Sequence, residues 1–170
     1  MQQVSLIGAP TDIGASRVGC RLGPQALRVA GIAAALAGFD CDVRDVGDLS
    51  GPDNPQLPPI DGYRHLPQVA AWNRAVFAAT AAELDAGRLP ILLGGDHSLA
   101  IGSISAVAAH CRAQGKKLRV IWVDAHADFN TAELTPSGNI HGMPVACLAG
   151  HGPDELITLA GPPPALSTDG

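Results

Sequence analysis

The 170-residue chain is 46% hydrophobic and only 16% charged, with a mean hydropathy of +0.17, which excludes a disordered polymer and fits one domain with a real core. Eleven Lys and Arg against sixteen Asp and Glu give a net charge of −5 with no basic block, so nucleic acid is not an expected partner. A small cationic substrate would suit this balance, although the same charge also serves solubility.

In chain order, "QVSLIG" reads as a first strand ending at the Gly8–Pro10 break, and "GPQALRVAGIAAALAGF" as one helix with Pro24 in its first turn and Gly38 near its end. "CDVRDVGD" is a second strand, and "LSGPDNPQLPPIDG" a Pro- and Gly-rich loop. An Ala-rich helix over 66–86 leads to the short apolar strand "LPILLGG". "SLAIGSISAVAAHCRAQG" follows as a helix capped by Ser98 and closed by Gly115, and "LRVIWVDAHAD" as a fourth strand with its loop. Strands apolar on both faces and separated by helices predict a three-layer α/β/α architecture around a parallel sheet. The start "MQQVSLIGAPTDIGAS" has no leader pattern, and "VAGIAAALAGF" is too short to span a bilayer. Cys20, Cys41, Cys111 and Cys147 form no CxxC pair, so the expectation is reduced cysteines in a cytoplasmic protein without membrane contact.

Ligands of parallel sheets sit at the carboxyl ends of strands, and two strands end in ligand-type groups: the third in "GGDHS" and the fourth in "DAHAD". In extended chain, Asp124, His126 and Asp128 at i, i+2 and i+4 would share one face. A hydrogen-bonded loop could hold them. A hydrolytic triad lacks a nucleophile, since no GxSxG elbow exists and Ser98 reads as a cap. Metal binding is the third reading: with His97 added, two carboxylates and imidazole form a mixed O/N set suited to Mn²⁺, and a divalent ion relieves the repulsion between carboxylates. Carboxylate-rich sites of this kind can hold two metals that activate water. Asp96 reads as a group that holds a ligand or a loop, Asp12, Arg17 and Arg21 as structural, and His65, His110 and His151 as surface or loop histidines.

"GGDHS", "DAHADFN" and "SGNIHGMPVA", in this order and spacing, resemble the arginase branch of the ureohydrolases. "GAPTDIGASRVGCRLGPQALRVAG" is similar to the start of the same enzymes, and the likeness runs from about Val4 to Leu166. The resemblance implies two Mn²⁺ ions, one held by His97 and Asp128, the other by His126, with Asp124 bridging. It implies that His141 shuttles a proton, and that Asn130, Ser137 and Asn139 bind the α-carboxylate and α-amino ends of L-arginine on its way to ornithine and urea. Agmatinase motifs lack this Asn and Ser pattern, so arginase is preferred over an agmatinase-like ureohydrolase. Full-length relatives form trimers or hexamers, so a homo-oligomer is expected of a complete domain.

The family also carries an S-x-D-x-D metal motif and a guanidinium-gripping glutamate further on, and neither occurs here; the tail "GPPPALSTDG" holds a single Asp169. Residues 1–170 are therefore expected to form one ureohydrolase-like domain, truncated at its C-terminus. In the family, the GGDH and DAHAD strands are separated in the sheet by two later strands, so unpaired edges are expected, together with weak metal binding and little activity. A non-catalytic remnant, or a fragment that associates with another chain, is the alternative.

Overall fold

The computed structural model describes residues 1–167, so Asp169 lies outside the described residues. Three parallel strands, β1 (Gln2–Ala9), β2 (Cys41–Asp48) and β3 (Leu89–Gly94), form a sheet in the order β2-β1-β3. The central strand is buried from Val4 to Ala9, and its side chains alternate between two cores. Val4 and Leu6 join Leu93 under Ile32 and Leu36 of helix α2 (Ile32–Ala37), which follows the short α1 (Gly23–Val29). Ala9 points the other way, into a core of Val69, Val76, Ile101, Ile140, Met143 and Leu156. That core is built by α3 (Leu66–Asp85), α4 (Ala100–Ala113), α5 (Pro144–Leu148) and α6 (Asp154–Ile157). The expected three layers are present. With this strand order, the chain reverses its direction of travel across the sheet at β1 and β3, the switch point where open α/β sheets open a crevice.

Four sequence expectations need correction. The helix read over 23–39 is two helices, because Gly31 takes φ 85 and breaks the path between Val29 and Ile32. Ser98 is not the cap: Asp96 caps the 3-10 turn His97–Leu99 that leads into α4, its Oδ1 accepting the Ser98 N–H at 2.9 Å, while α4 itself starts without a side-chain cap and the Ser98 hydroxyl is buried without a partner. His65 is buried, not superficial: its Nδ1 lies 3.0 Å from the Ile13 carbonyl, and its Nε2 is 3.0 Å from the Leu57 N–H. The fourth strand does not form among the described residues. Residues 118–123 join no sheet, do not pair with β3, and leave Ile121 and Val123 exposed, because strand backbone needs a neighbour for its N–H and C=O groups. All four cysteines are free, and no helix of the described residues is long and apolar enough to cross a membrane.

A polar knot ties the amino end of the sheet to α3. Ser5, fully buried on β1, donates to Glu83 at 2.5 Å and accepts from Arg88 Nε at 2.7 Å. The same guanidinium reaches the carbonyls of Val4 (2.6 Å) and Asp42 (3.1 Å), so it ties all three strands together. Arg88→Ala leaves Glu83 and these carbonyls short of donors and is expected to cost about 2 kcal/mol. Arg88→Lys should recover only part of this, since an ammonium cannot reproduce the planar fork. Midpoints of urea denaturation for the three proteins measure the difference.

Candidate metal centre

The carboxyl end of β3 is pressed against the loop after β1. A side chain at Gly95 would put its Cβ 2.3 Å from the Thr11 carbonyl and 2.7 Å from that of Ala9, so this position requires glycine. The Asp96 N–H then bonds the Thr11 carbonyl at 2.9 Å. The Asp96 carboxylate, 4% exposed, accepts the Gly14 N–H at 2.8 Å through its second oxygen. It holds loops, as its place in the motif led one to expect. Asp12, also buried, is used likewise: it accepts the Gly19 N–H at 2.9 Å, while Arg17 and Arg21 are exposed.

His97 leaves this frame with Nδ1 3.1 Å from Asp124 and 2.9 Å from Asp128. One ligand atom from each of the three residues lies within 4.8 Å of the other two. The His97 ring stacks on Trp122, with centroids 4.5 Å apart and planes 13° from parallel. The second oxygen of Asp124 accepts the His126 N–H at 2.8 Å and lies 3.1 Å from His126 Nδ1. The first of these bonds is the main reason that the Asp124 carboxyl is held below the usual carboxylate range. Asp128 takes φ 48, a left-handed backbone that is costly for a non-glycine residue and common at functional sites. It is fixed there because its carbonyl accepts the Val145 N–H of α5 at 3.0 Å, while the Asn130 N–H bonds the Gly142 carbonyl at 3.0 Å.

The shared face expected from the D-x-H-x-D spacing is not what unites these groups. The backbone bends through 124–126, so the alternation of extended chain does not hold. His97, Asp124 and Asp128 meet, while the His126 side chain stays 81% exposed and touches the group only through Asp124.

The remaining predicted residues surround the same place. His141 lies in a 3-10 turn, Ile140–Gly142, and its N–H bonds the Gly14 carbonyl at 3.1 Å. Asn139 is buried, and its amide is already engaged: Oδ1 accepts from Arg64 Nε at 3.1 Å, and Nδ2 donates to Ser16 at 3.0 Å. The Ser137 hydroxyl accepts the Asn139 N–H at 3.3 Å. Asn130 is exposed. His97, Asp124, His126, Asp128, Asn130, Ser137, Asn139 and His141 all line one open cleft of about 670 Å³, ample for a small molecule. His110 instead faces Asp85 at 3.6 Å, and His151 is exposed beside Phe129. Two contributors escaped the sequence reading. Trp122 sits two residues before Asp124, but no strand forms there and its stack on His97 carries no local signal. Arg64, which grips 137–139 from the end of the Pro-rich loop, carries no local signal.

Chemically, two carboxylates and an imidazole converging on one point suit a hard or borderline divalent cation, which would offset the repulsion between the acids.

The sequence model of the Arginase family matches residues 2–161. The arginase of Bacillus caldovelox is 41% identical over 171 residues, which is 99% of this chain and 56% of that protein. Its solved structure superposes with a TM-score of 0.90, covering 98% of this chain and 55% of that one. A hypothetical agmatinase from Burkholderia thailandensis is more distant, at 27% identity and a TM-score of 0.59 over 85% of this chain and 44% of that one. The chain spans about half the length of the curated relatives it matches.

Gly14 is the meeting point of three segments, so it offers a direct test of this frame. A Cβ there would lie 2.6 Å from both Asp96 Oδ1 and Ser98 Oγ, which are held in the interior. Gly14→Ala is expected to cost about 1–3 kcal/mol, as overpacking does, and to displace His141 with the loop. Denaturation midpoints, together with chemical-shift changes at the His141 ring, check both effects.

Proposed function

The chain belongs to the arginase family, and from that premise we propose that its cleft binds Mn²⁺ and L-arginine for hydrolysis of the guanidinium to ornithine and urea. The observation that carries the reading is the approach of His97 Nδ1 to Asp124 and Asp128 in the cleft that His141, Asn130 and Ser137 also line. In this reading His97, Asp128 and Asp124 would hold one cation, and His126, with Asp124, would help to hold a second in a complete family member. When bound, such cations bring the pKa of water down towards neutrality and so supply the nucleophile that a poor electrophile needs. His141 hands a proton to the departing ornithine nitrogen, general-acid work for which an imidazole is the commonest side chain. The Ser137 hydroxyl and Asn130 amide bind the α-carboxylate and α-amino end of the substrate. Asn139, whose amide is engaged by Arg64 and Ser16, contributes by fixing the wall they stand on. The net charge of −5 favours a cationic substrate. The closer likeness to arginase than to agmatinase supports L-arginine over its decarboxylated analogue. A cytoplasmic homo-oligomer, a trimer or a hexamer, belongs to the same reading, as does a single domain over residues 1–170.

A second reading is a non-catalytic chain that associates with another. The observations favouring it are the exposed Ile121 and Val123 and the exposed ring of His126, which stands apart from the three converging ligands.

Three converging ligands support one cation, held weakly. Calorimetric titration with Mn²⁺ is expected to give one ion per chain, lost on Asp124→Ala or Asp128→Ala; two tight ions would contradict this. Urea release from saturating L-arginine is expected to depend on Mn²⁺ but to fall at least about 10²-fold below an ordinary turnover, because only three ligand groups converge and His126 stands apart from them. His141→Ala should abolish what remains. No Mn²⁺-dependent urea at all would favour the second reading.

A further inference from the structure

Within the segment 118–123, exposed Ile121 and Val123 flank a partly buried Trp122 whose ring lies flat on that of His97. The indole Nε1 is buried and has no hydrogen-bond partner, although a buried indole N–H ordinarily finds one. The tryptophan is therefore engaged through its ring face and not through its polar atom. His97, for its part, spends Nδ1 on the two carboxylates. The second torsion of a histidine is broad and roughly two-fold, so its ring plane has to be set from outside. Metal-binding histidines usually have this done by a hydrogen bond to the other ring nitrogen, whereas here the flat surface against the ring is Trp122.

We propose that Trp122 is the positioning residue of His97: its indole face sets the imidazole plane that aims Nδ1 at Asp124 and Asp128. The orientation needs no metal; only its consequence for cation affinity rests on the metal-centre reading. Because the indole N–H takes no part, phenylalanine at this position preserves the function and an aliphatic residue does not.

Aromatic NMR spectra of the metal-free chain, with His97 identified by His97→Ala, test the orientation directly. The His97 ring protons are expected upfield of those of exposed His126 in the wild type and in Trp122→Phe, and to lose that shift in Trp122→Leu. Free-Mn²⁺ paramagnetic resonance should then give Trp122→Phe an affinity close to wild type, with Trp122→Leu weaker by about tenfold. A wild-type His97 ring without the upfield shift overturns the proposal, as does a folded Trp122→Leu that binds Mn²⁺ as tightly as wild type. Should Trp122→Leu fail to fold, the wild-type and Trp122→Phe spectra still decide the matter. A wild-type chain that shows the shift but binds no Mn²⁺ counts against the metal-centre reading and leaves the positioning role supported.

Discussion

Asp96 is a buried carboxylate with one oxygen on the Gly14 N–H and the other on the Ser98 N–H. A buried charge is costly unless its lone pairs are used, so the segments that supply these donors cannot drift apart without exposing or orphaning it. Through Gly14, whose carbonyl takes the His141 N–H, the same constraint reaches the turn at Ile140–Gly142. Three stretches far apart in sequence, the loop after β1, the end of β3 and the turn before α5, are thereby locked at one end of the sheet. The close contacts at Gly95 and Gly14 follow from this: the loops approach to distances that leave no room for a Cβ.

On this frame the acidic groups are brought together in a way that water alone would oppose. Asp124 and Asp128 both lie near one imidazole nitrogen, and Asp128 takes up a left-handed backbone to do so. The strain is held by ordinary backbone bonds to α5 and to Gly142, not by anything in the cleft. A site prepared before its ligand arrives loses little ordering entropy on binding, which is the physical sense in which such an arrangement is preorganised.

The opposite tendency shows beyond β3. That strand pairs with β1 alone, and 118–123 pairs with nothing among the described residues, while Ile121 and Val123 are 83% and 92% exposed. Full burial of such side chains is worth about 1.5–3 kcal/mol each, so leaving both in water is a sizeable deficit for one short segment. Unpaired edges with apolar side chains are surfaces on which further strands add. Trp122, wedged between these two residues but turned to His97, is the point where the unsatisfied segment meets the ordered site.

Local sequence determined much of this protein. β2 runs over the residues its pattern marks, Cys41–Asp48, and the alternation of Val4 and Leu6 with Ser5, Ile7 and Ala9 already implies a strand with helices on both sides. The glycines, the polar strand ends and the motifs "GGDHS" and "SGNIHGMPVA" marked where the cleft would be, because strand carboxyl ends are where such sheets bind ligands. Tertiary structure decided the rest. The i, i+2, i+4 spacing of Asp124, His126 and Asp128 implied one face, yet two of the three converge only because the chain bends and turns left-handed, and their partner comes from the end of β3. Asp96 as the cap in place of Ser98, burial of His65, the hold of Arg64 on Asn139 and the stack of Trp122 on His97 all join residues that no local window contains together. Periodicity reports which way a side chain leaves its own backbone; which distant group it meets is fixed only when buried polar atoms must find partners across the fold.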